Sequence, residues 1–305
     1  MIITKLNGGL GNQMFQYACG RALALRNEND DLKLDISGYS RQHPGDAFRT
    51  YSLSNFAIAE NIADENEIVK AHYPFGTLSK YTEIFRKKIL RQFNVGFVPY
   101  ILRKKTAGRT IYLDGFWQSE KYFADFADDI RREFTLKKPL GVAARTIANA
   151  MDSRNGNSPS VSIHIRRGDI VDDGGKSGLF GIATPEYYSR ALIHVAEKLT
   201  AHGVKNFRVF VFSDDIEWTK KNLVIPYPTT YVSGTLENGK PAIADYEEII
   251  LMSLCSHNII ANSSFSWWGA WLNKNPEKIV IAPIRWSTNH ENWHTETVPV
   301  SWIRI

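Results

Sequence analysis

The sequence predicts an α/β protein of two domains, and three observations support this prediction. The chain has 305 residues, more than one compact α/β domain usually contains. Its second half alternates short apolar segments with helical segments, the pattern of a parallel sheet covered by helices. Residues 152–160, DSRNGNSPS, have the composition of a loop. We therefore predict an N-terminal, acceptor-side domain over 1–155 and a C-terminal, nucleotide-binding domain over 156–305, with the option that the chain end packs back on the first domain.

The N-terminal half opens with a strand that runs into the glycine-rich turn Asn7-Gly8-Gly9-Leu10-Gly11. Apolar residues at helical spacing follow the turn. The region 36–108 is irregular, with helical pieces that the pattern does not place. The predicted elements are strands at 2–6, 32–35 and 110–113 and helices at 13–26 and 120–134.

In the C-terminal half, five strands alternate with four helices. The strands are predicted at 161–165, 207–212, 229–232, 258–261 and 278–282, and the helices at 185–202, 215–222, 245–257 and 265–273. Ligands of such sheets bind beyond the carboxyl ends of the strands. The residues that follow each strand are therefore the first candidates for a functional site.

Composition favours a cytoplasmic protein with a small anionic ligand. Lys and Arg total 37 against 32 Asp and Glu, an excess that suits a nucleotide or loose attraction to an acidic membrane face but does not indicate nucleic acid. Cys19 and Cys255 lie in apolar stretches, as buried free thiols of a reducing compartment do. Neither a signal peptide nor a membrane span is predicted. No feature of the sequence predicts an oligomeric state.

Two adjacent arginines follow the first strand of the second half, in the run His164-Ile165-Arg166-Arg167-Gly168-Asp169. A guanidinium donates two hydrogen bonds to phosphate oxygens and stays charged at any working pH. The pair therefore predicts a diphosphate clamp, with a salt bridge between domains as the alternative.

The next strand ends in Ser213-Asp214-Asp215. A carboxylate there can accept from a ribose hydroxyl or from the N–H edge of guanine. Capping of the following helix by Ser213 or Asp214 is the alternative, and this cluster alone favours capping.

A third polar cluster, Asn262-Ser263-Ser264, lies between a strand and a helix. Helix N-termini attract phosphate through their free N–H groups and dipole. Trp267, Trp268 and Trp271 follow, and we interpret them as core packing in preference to sugar stacking. In the N-terminal half, the glycine-rich run after the first strand superficially resembles the dinucleotide-binding fingerprint but lacks its G-x-G-x-x-G spacing. The alternative is a tight turn that brings Asn12 and Gln13 toward the interdomain cleft.

Together these segments resemble a known family. GGLGNQMFQYA, GFWQSEKYF, HIRRGD, FSDD and NSSFSWWGAWLN are similar, in this order, to the motifs of the α-1,2-fucosyltransferases, glycosyltransferase family 11. The resemblance runs from residue 5 to about 275. It implies two Rossmann-like domains of the GT-B type with a cleft between them, GDP-fucose as donor, a β-galactoside as acceptor, inversion at the anomeric carbon, and no metal or other cofactor.

The resemblance also implies roles for individual residues. Arg166 stabilises the leaving group, and His164 lies along the nucleoside in preference to acting as a base. Asp169 is either the general base or a carboxylate that orients the arginines. The further donor contacts are Gly11, Asn12, Gln13, Arg167, Asp214, Asn262, Ser263, Ser264 and Phe265, and the acceptor contacts are Trp117, Gln118 and Ser119.

Two alternative functions stay open at this stage, and two features after the arginine pair have alternative interpretations. One is an α-1,6- or protein O-fucosyltransferase, which GGLGNQMFQYA and SSFSWWGAWL disfavour, and another is a non-catalytic binder of nucleotide sugars or glycans. Asp172-Asp173 is the nearest approach to a metal-binding D-x-D motif, and we interpret it as a solvated pair. The loop 172–181 is either a lid or a variable surface loop.

Overall fold

The computed structural model of the chain describes residues 1–28, 31–40, 49–72, 108, 110–152, 158–167, 183–232, 243–286 and 296–305. The chain divides into two compact units, Met1–Lys137 with Thr295–Thr297 and Lys138–His294 with Val298–Ile305. Across the described ranges, none of the helices combines the length and the apolar character needed to span a bilayer.

The first unit is built on a three-stranded parallel sheet of order β2-β1-β3. The strands predicted for this half are confirmed, and the first helix begins earlier than predicted, directly after Gly9. The elements are β1 (Ile2–Lys5), α1 (Leu10–Arg26), β2 (Leu32–Asp35), α2 (Glu65–His72) and β3 (Ile111–Leu113).

Helix α1 packs closely on β1 because one of its residues has no side chain. A Cβ on Gly20 would overlap the hydroxyl of Thr4 in β1. Ile2 and Ile3 are fully buried beside this contact. The close packing fixes the start of α1 next to the carboxyl end of β1, where the glycine-rich turn lies.

The single helix predicted over 120–134 is wrong. The chain forms two 3-10 turns, Glu120–Tyr122 and Ala124–Phe126, before the α-helix α3 (Ala127–Glu133). Phe123 leaves the helical region at φ −136°, which breaks the helical path. This break allows Tyr122 and Phe123, adjacent in sequence, both to be buried.

The second unit is built on a six-stranded sheet in which every neighbouring pair is parallel. The five strands and four helices predicted for this half are confirmed within a few residues. The elements are α4 (Val142–Met151), β4 (Ser160–Ile165), α5 (Pro185–Ala201), β5 (Arg208–Ser213), α6 (Ile216–Asn222), β6 (Thr229–Tyr231), α7 (Asp245–Leu254), β7 (His257–Ile259), α8 (Ser264–Leu272), β8 (Val280–Ala282) and β9 (Ile303–Arg304).

Two elements of the second unit were not predicted. Helix α4 packs on α7, and the N–H of Gly141 before α4 donates to Oε1 of Glu247 in α7 at 2.6 Å. The units therefore divide between Lys137 and Lys138, before the boundary predicted at 155–156. Strand β9 extends the sheet beside β8, so the last residues of the chain pack with the second unit. The sequence also allowed a tail that packs on the first domain.

The strand order of the second sheet, β6-β5-β4-β7-β8-β9, contains one change of direction. The chain leaves β4 toward β5 and β6, then returns to place β7 on the other side of β4. Ligands of open α/β sheets bind at such a switch point, beyond the carboxyl ends of the strands. The carboxyl ends of β4 and β7 are therefore where the fold places a site. The prediction of an α/β chain with two units, each on a parallel sheet as the GT-B type requires, is confirmed.

Candidate functional site

His164 is the last polar residue of β4 and is buried, with 8% of its surface exposed. Burial, followed by the positive charge of Arg166, lowers the pKa of His164 to about 3, so its imidazole is neutral near pH 7. Its Nδ1 is buried and has no hydrogen-bond partner among the described residues. A buried ring nitrogen without a protein partner suits a ligand contact better than acid–base catalysis.

Arg166 and Arg167 follow β4 directly, and Arg167 makes several defined contacts. The backbone N–H of Arg167 donates to Oδ1 of Asp214 at 2.8 Å. Its guanidinium carbon lies 3.6 Å from the ring centroid of Trp218. Its Nε is buried and has no hydrogen-bond partner within the described ranges. The other proposed catalytic residue, Asp169, and the loop 172–181 lie outside the described residues.

Asp214 has a different task from the helix cap considered for it. The N-cap of α6 is Asp215, whose Oδ1 accepts from the N–H of Trp218 at 2.9 Å. Ser213 supports this turn by accepting from the N–H of Asp215 at 3.0 Å. Asp214 is exposed beyond β5 and holds the backbone of Arg167, so it joins the ends of two neighbouring strands. Its predicted contact with the nucleoside remains a prediction.

The third cluster lies at the end of β7 and the start of α8. Ser263 caps α8 by accepting from the N–H of Phe265 at 3.3 Å. Asn262 is buried, and its Nδ2 donates to the carbonyl of Trp286 at 3.4 Å. The ring of Phe265 lies 5.5 Å from that of His164. The start of α8, which includes the half-buried Ser264, therefore lies beside the end of β4, as the switch point requires.

Glu248 in α7 is a candidate that sequence reasoning missed. Burial, followed by the charges of Asp245 and Asp214, raises its pKa to about 8. Its carboxyl group is therefore largely protonated near pH 7 and can donate a hydrogen bond. The run Asp245-Tyr246-Glu247-Glu248 has the pattern of an acidic helix start, and no sequence signal marks which of its acids feels the charge of Asp214.

In the first unit, Gln13 holds the glycine-rich turn. It is fully buried, and its Nε2 donates to the carbonyls of Gly8 at 3.2 Å and Thr50 at 2.8 Å. Its Oε1 accepts from the N–H of Ser52 at 3.0 Å. Gln13 thus has a structural role, and the donor contact predicted for it stays a prediction. Gly8, at φ +75°, supplies the left-handed conformation that the turn needs.

Asn12 and Gln118 are paired in the first unit: Nε2 of Gln118 donates to Oδ1 of Asn12 at 2.8 Å. The pair joins the turn after β1 to the segment after β3, and both side chains are half-buried. Gly11, by contrast, is buried within α1. The predicted donor contact of Asn12 and acceptor contact of Gln118 therefore fall at one place on the carboxyl edge of this sheet.

Ser119 and Trp117 make contacts with other residues of the protein. Ser119 is buried, and its hydroxyl donates to the carbonyl of Glu296 at 2.9 Å. Trp117 has φ +51° and lies so close to Gly115 that a Cβ there would approach its ring to 2.8 Å. The Trp117 ring also meets Tyr122 edge-on at 5.5 Å. Ser119 therefore makes a structural hydrogen bond, and the acceptor contacts predicted for Ser119 and Trp117 stay predictions.

No three His, Cys, Asp or Glu side chains are grouped as metal ligands in the ranges that the structure describes. An arginine pair, a neutral histidine and a helix N-terminus at the switch point of a parallel sheet are typical of enzymes that bind phosphate-bearing ligands. The profile of glycosyl transferase family 11 matches residues 98–305, and the chain belongs to this family. It is a glycosyltransferase, as the motifs predicted.

Two bacterial relatives match nearly the whole length of the chain, and a human relative matches about half of it. An alpha-1,2-colitosyltransferase of Escherichia coli is 34% identical over 100% of this chain and 99% of its own. The O-antigen biosynthesis glycosyltransferase WbnK of Escherichia coli is 30% identical over 98% and 99%. The human galactoside alpha-(1,2)-fucosyltransferase 1 is 27% identical over 52% of this chain and 42% of its own. Among solved structures, the fucosyltransferase NodZ from Bradyrhizobium is 16% identical with a TM-score of 0.48, over 88% and 91% of the two chains.

Proposed function

We propose that this chain transfers L-fucose from GDP-β-L-fucose to the 2-hydroxyl of a β-galactoside, with inversion and without a metal ion. The observation that carries the proposal is the group at the ends of β4 and β7: Arg166, Arg167, the neutral His164 and the capped start of α8. Family membership and the names of the relatives support the donor, the linkage and the acceptor class.

The chemistry needs a fixed positive charge beside the leaving group. As the bond between the sugar C1 and the β-phosphate oxygen breaks, its electron pair moves to the GDP phosphate. The guanidinium of Arg166 and the N-terminal end of α8 at Ser263 and Ser264 stabilise that charge. The oxygen of the 2-hydroxyl of the acceptor galactose attacks C1 of the fucose from the face opposite the leaving phosphate. The proton of that hydroxyl passes to a base. We assign this base to Asp169, with the orientation of the arginines as the alternative role.

A second candidate donor has a specific observation behind it. The relative that covers the whole chain at 34% identity is named a colitosyltransferase. Colitose is fucose without the 3-hydroxyl. The same stabilisation of the leaving GDP and the same attack at C1 therefore apply to both GDP-sugars. The two donors differ in a single hydrogen-bonding group of the sugar. Parallel assays with GDP-fucose and GDP-colitose decide between them.

The donor class can be tested by binding. We expect GDP to bind at least about a hundredfold more tightly than UDP, because a site that pairs with the guanine N–H edge leaves its own polar groups unpaired against uracil. Calorimetric titration with both nucleotides measures this ratio. Equal affinities would contradict the donor assignment.

The acceptor class needs a transfer assay. A panel of β-galactosides, with linkage analysis of the product, is expected to yield an α-1,2 bond. A 1,6 linkage or a modified protein would favour the other fucosyltransferase classes. Binding of GDP-fucose without transfer or hydrolysis would instead indicate a non-catalytic binder.

Metal independence is the next expected result. Because Arg166 and Arg167 supply the cationic charge, excess EDTA should leave the initial rate within about twofold of its untreated value. The measurement is the initial rate with and without EDTA, followed by Mg²⁺ or Mn²⁺ addition. Activity that EDTA abolishes and Mn²⁺ restores would show that the leaving group is stabilised differently.

We also propose that the enzyme is cytoplasmic and makes loose peripheral contact with the cytoplasmic face of the membrane. Cys19 and Cys255 are both buried free thiols, which supports a reducing compartment.

A further inference from the structure

The aromatic ring beneath Arg167 belongs to Trp218 in α6. The distance of 3.6 Å from the guanidinium carbon to the ring centroid is that of a guanidinium lying flat on the indole. A guanidinium stacked in this way uses its face for the ring and keeps its N–H donors at the edge for hydrogen bonds. One of those donors, Nε, is buried without a partner in the described part of the chain.

Trp218 is itself held firmly by the short helix that carries it. Its backbone N–H donates to the cap Asp215, and its carbonyl accepts from Nδ2 of Asn222 at 2.8 Å. Its side chain packs against the core cluster of the second unit. The indole is therefore a fixed surface. Since the backbone N–H of Arg167 is bonded to Asp214, both ends of the arginine are anchored to the segment that follows β5.

We propose that Trp218 is a positioning residue for the donor site: it holds the guanidinium of Arg167 in the plane that its hydrogen bonds to the diphosphate require. This inference rests on the proposed GDP-sugar site. An arginine on a free stem must be ordered when a ligand binds, and an arginine already stacked on a fixed ring avoids part of that cost. Trp218 acts through Arg167 and touches no reacting atom.

The stack can be detected without any ligand. The ring current of an indole shifts protons above its face upfield, so the side-chain protons of Arg167 are expected at unusually high field in spectra of arginine-labelled protein. Trp218→Leu should abolish that shift, and Trp218→Phe should keep part of it. Ordinary shifts in the wild-type protein would overturn the proposal.

The positioning role is tested by GDP affinity. Trp218→Leu is expected to weaken GDP binding about tenfold, and Trp218→Phe, which keeps an aromatic face, by no more than about threefold. Tyr227→Leu is the matched control, because Tyr227 packs against the same core cluster but lies before β6, at the amino ends of the strands and away from the proposed site. It should leave GDP affinity unchanged. An equal loss of GDP affinity in the Tyr227→Leu control would show that Trp218 acts only through core packing, and would overturn the proposal.

A double-mutant cycle then asks whether Trp218 acts through Arg167. In an Arg167→Lys background, the planar group is already lost, so adding Trp218→Leu should change GDP affinity by less than about twofold. Additive effects would overturn the proposal. Should the wild-type protein fail to bind GDP at all, the proposed donor is wrong and the positioning role falls with it, while the ring-current experiment still reports whether the stack exists.

Discussion

Replacing Arg166 with lysine is expected to lower kcat by about a hundredfold or more. Lysine keeps the positive charge but loses the planar fork, so a bidentate contact with phosphate cannot be rebuilt. If the arginine acts mainly on charge that develops in the transition state, the affinity for GDP-fucose should fall much less. Steady-state kinetics together with calorimetric donor binding separate the two quantities.

Arg167→Lys is the matched comparison for this variant. We expect a milder loss of kcat, since Arg167, stacked on Trp218, is assigned to ground-state binding of the diphosphate, whereas Arg166 is assigned to the charge that develops on the leaving group. Thermal melts within a few degrees of the wild type would show that both effects are local. Near-normal kcat in the Arg166 variant would refute the assignment, and a severe loss in the Arg167 variant beside it would transfer the role to that residue.

Truncating Trp267 to alanine is expected to lower the free energy of unfolding by about 3–5 kcal/mol. Its side chain is fully buried, and its ring lies 5.0 Å from Trp268, 6.1 Å from Trp271 and 5.5 Å from Trp302. Removing it leaves a cavity that these rigid rings fill poorly. Denaturant unfolding followed by circular dichroism measures the loss.

The same variant distinguishes packing from sugar stacking. Burial of Trp267, Trp268 and Trp271 agrees with their interpretation as core residues. Trp267→Phe keeps most of the ring volume and should recover much of the stability. A Trp267→Ala protein with wild-type stability but no acceptor binding would contradict the packing role.

Most of the second sheet could be predicted because each element carries its own local signal. Strand β4 is apolar and short, and α5 has an apolar face and a Thr-Pro start, so neither needs distant partners to be recognised. Strand β9 has no such signal. It is two residues long and exists because Ile303 pairs with Ile281 across a long sequence separation. The break at Phe123 likewise depends on burial that local spacing does not report.

The residues of the candidate site likewise divide into those that local sequence could predict and those that it could not. The arginine pair was predictable, since two charges directly after a buried strand have few structural explanations. The tasks of Gln13 and Ser119 were not, because their partners, Thr50 and Glu296, lie far along the chain. The raised pKa of Glu248 follows first from burial and then from the charges of Asp245 and Asp214, and a sequence pattern shows neither the burial nor the approach of Asp214.

In the second sheet, the residues that form the core and the residues proposed to bind the donor lie in different parts of the chain. Val161, Ile163 and Ile165 of β4 are buried in the core, whereas Arg166, Arg167 and Asp214 lie in segments that follow the strand ends and are at least partly exposed. Mutations can therefore accumulate in those segments while the scaffold is preserved. We expect substitutions in these segments to change which sugar the protein accepts without a change of fold.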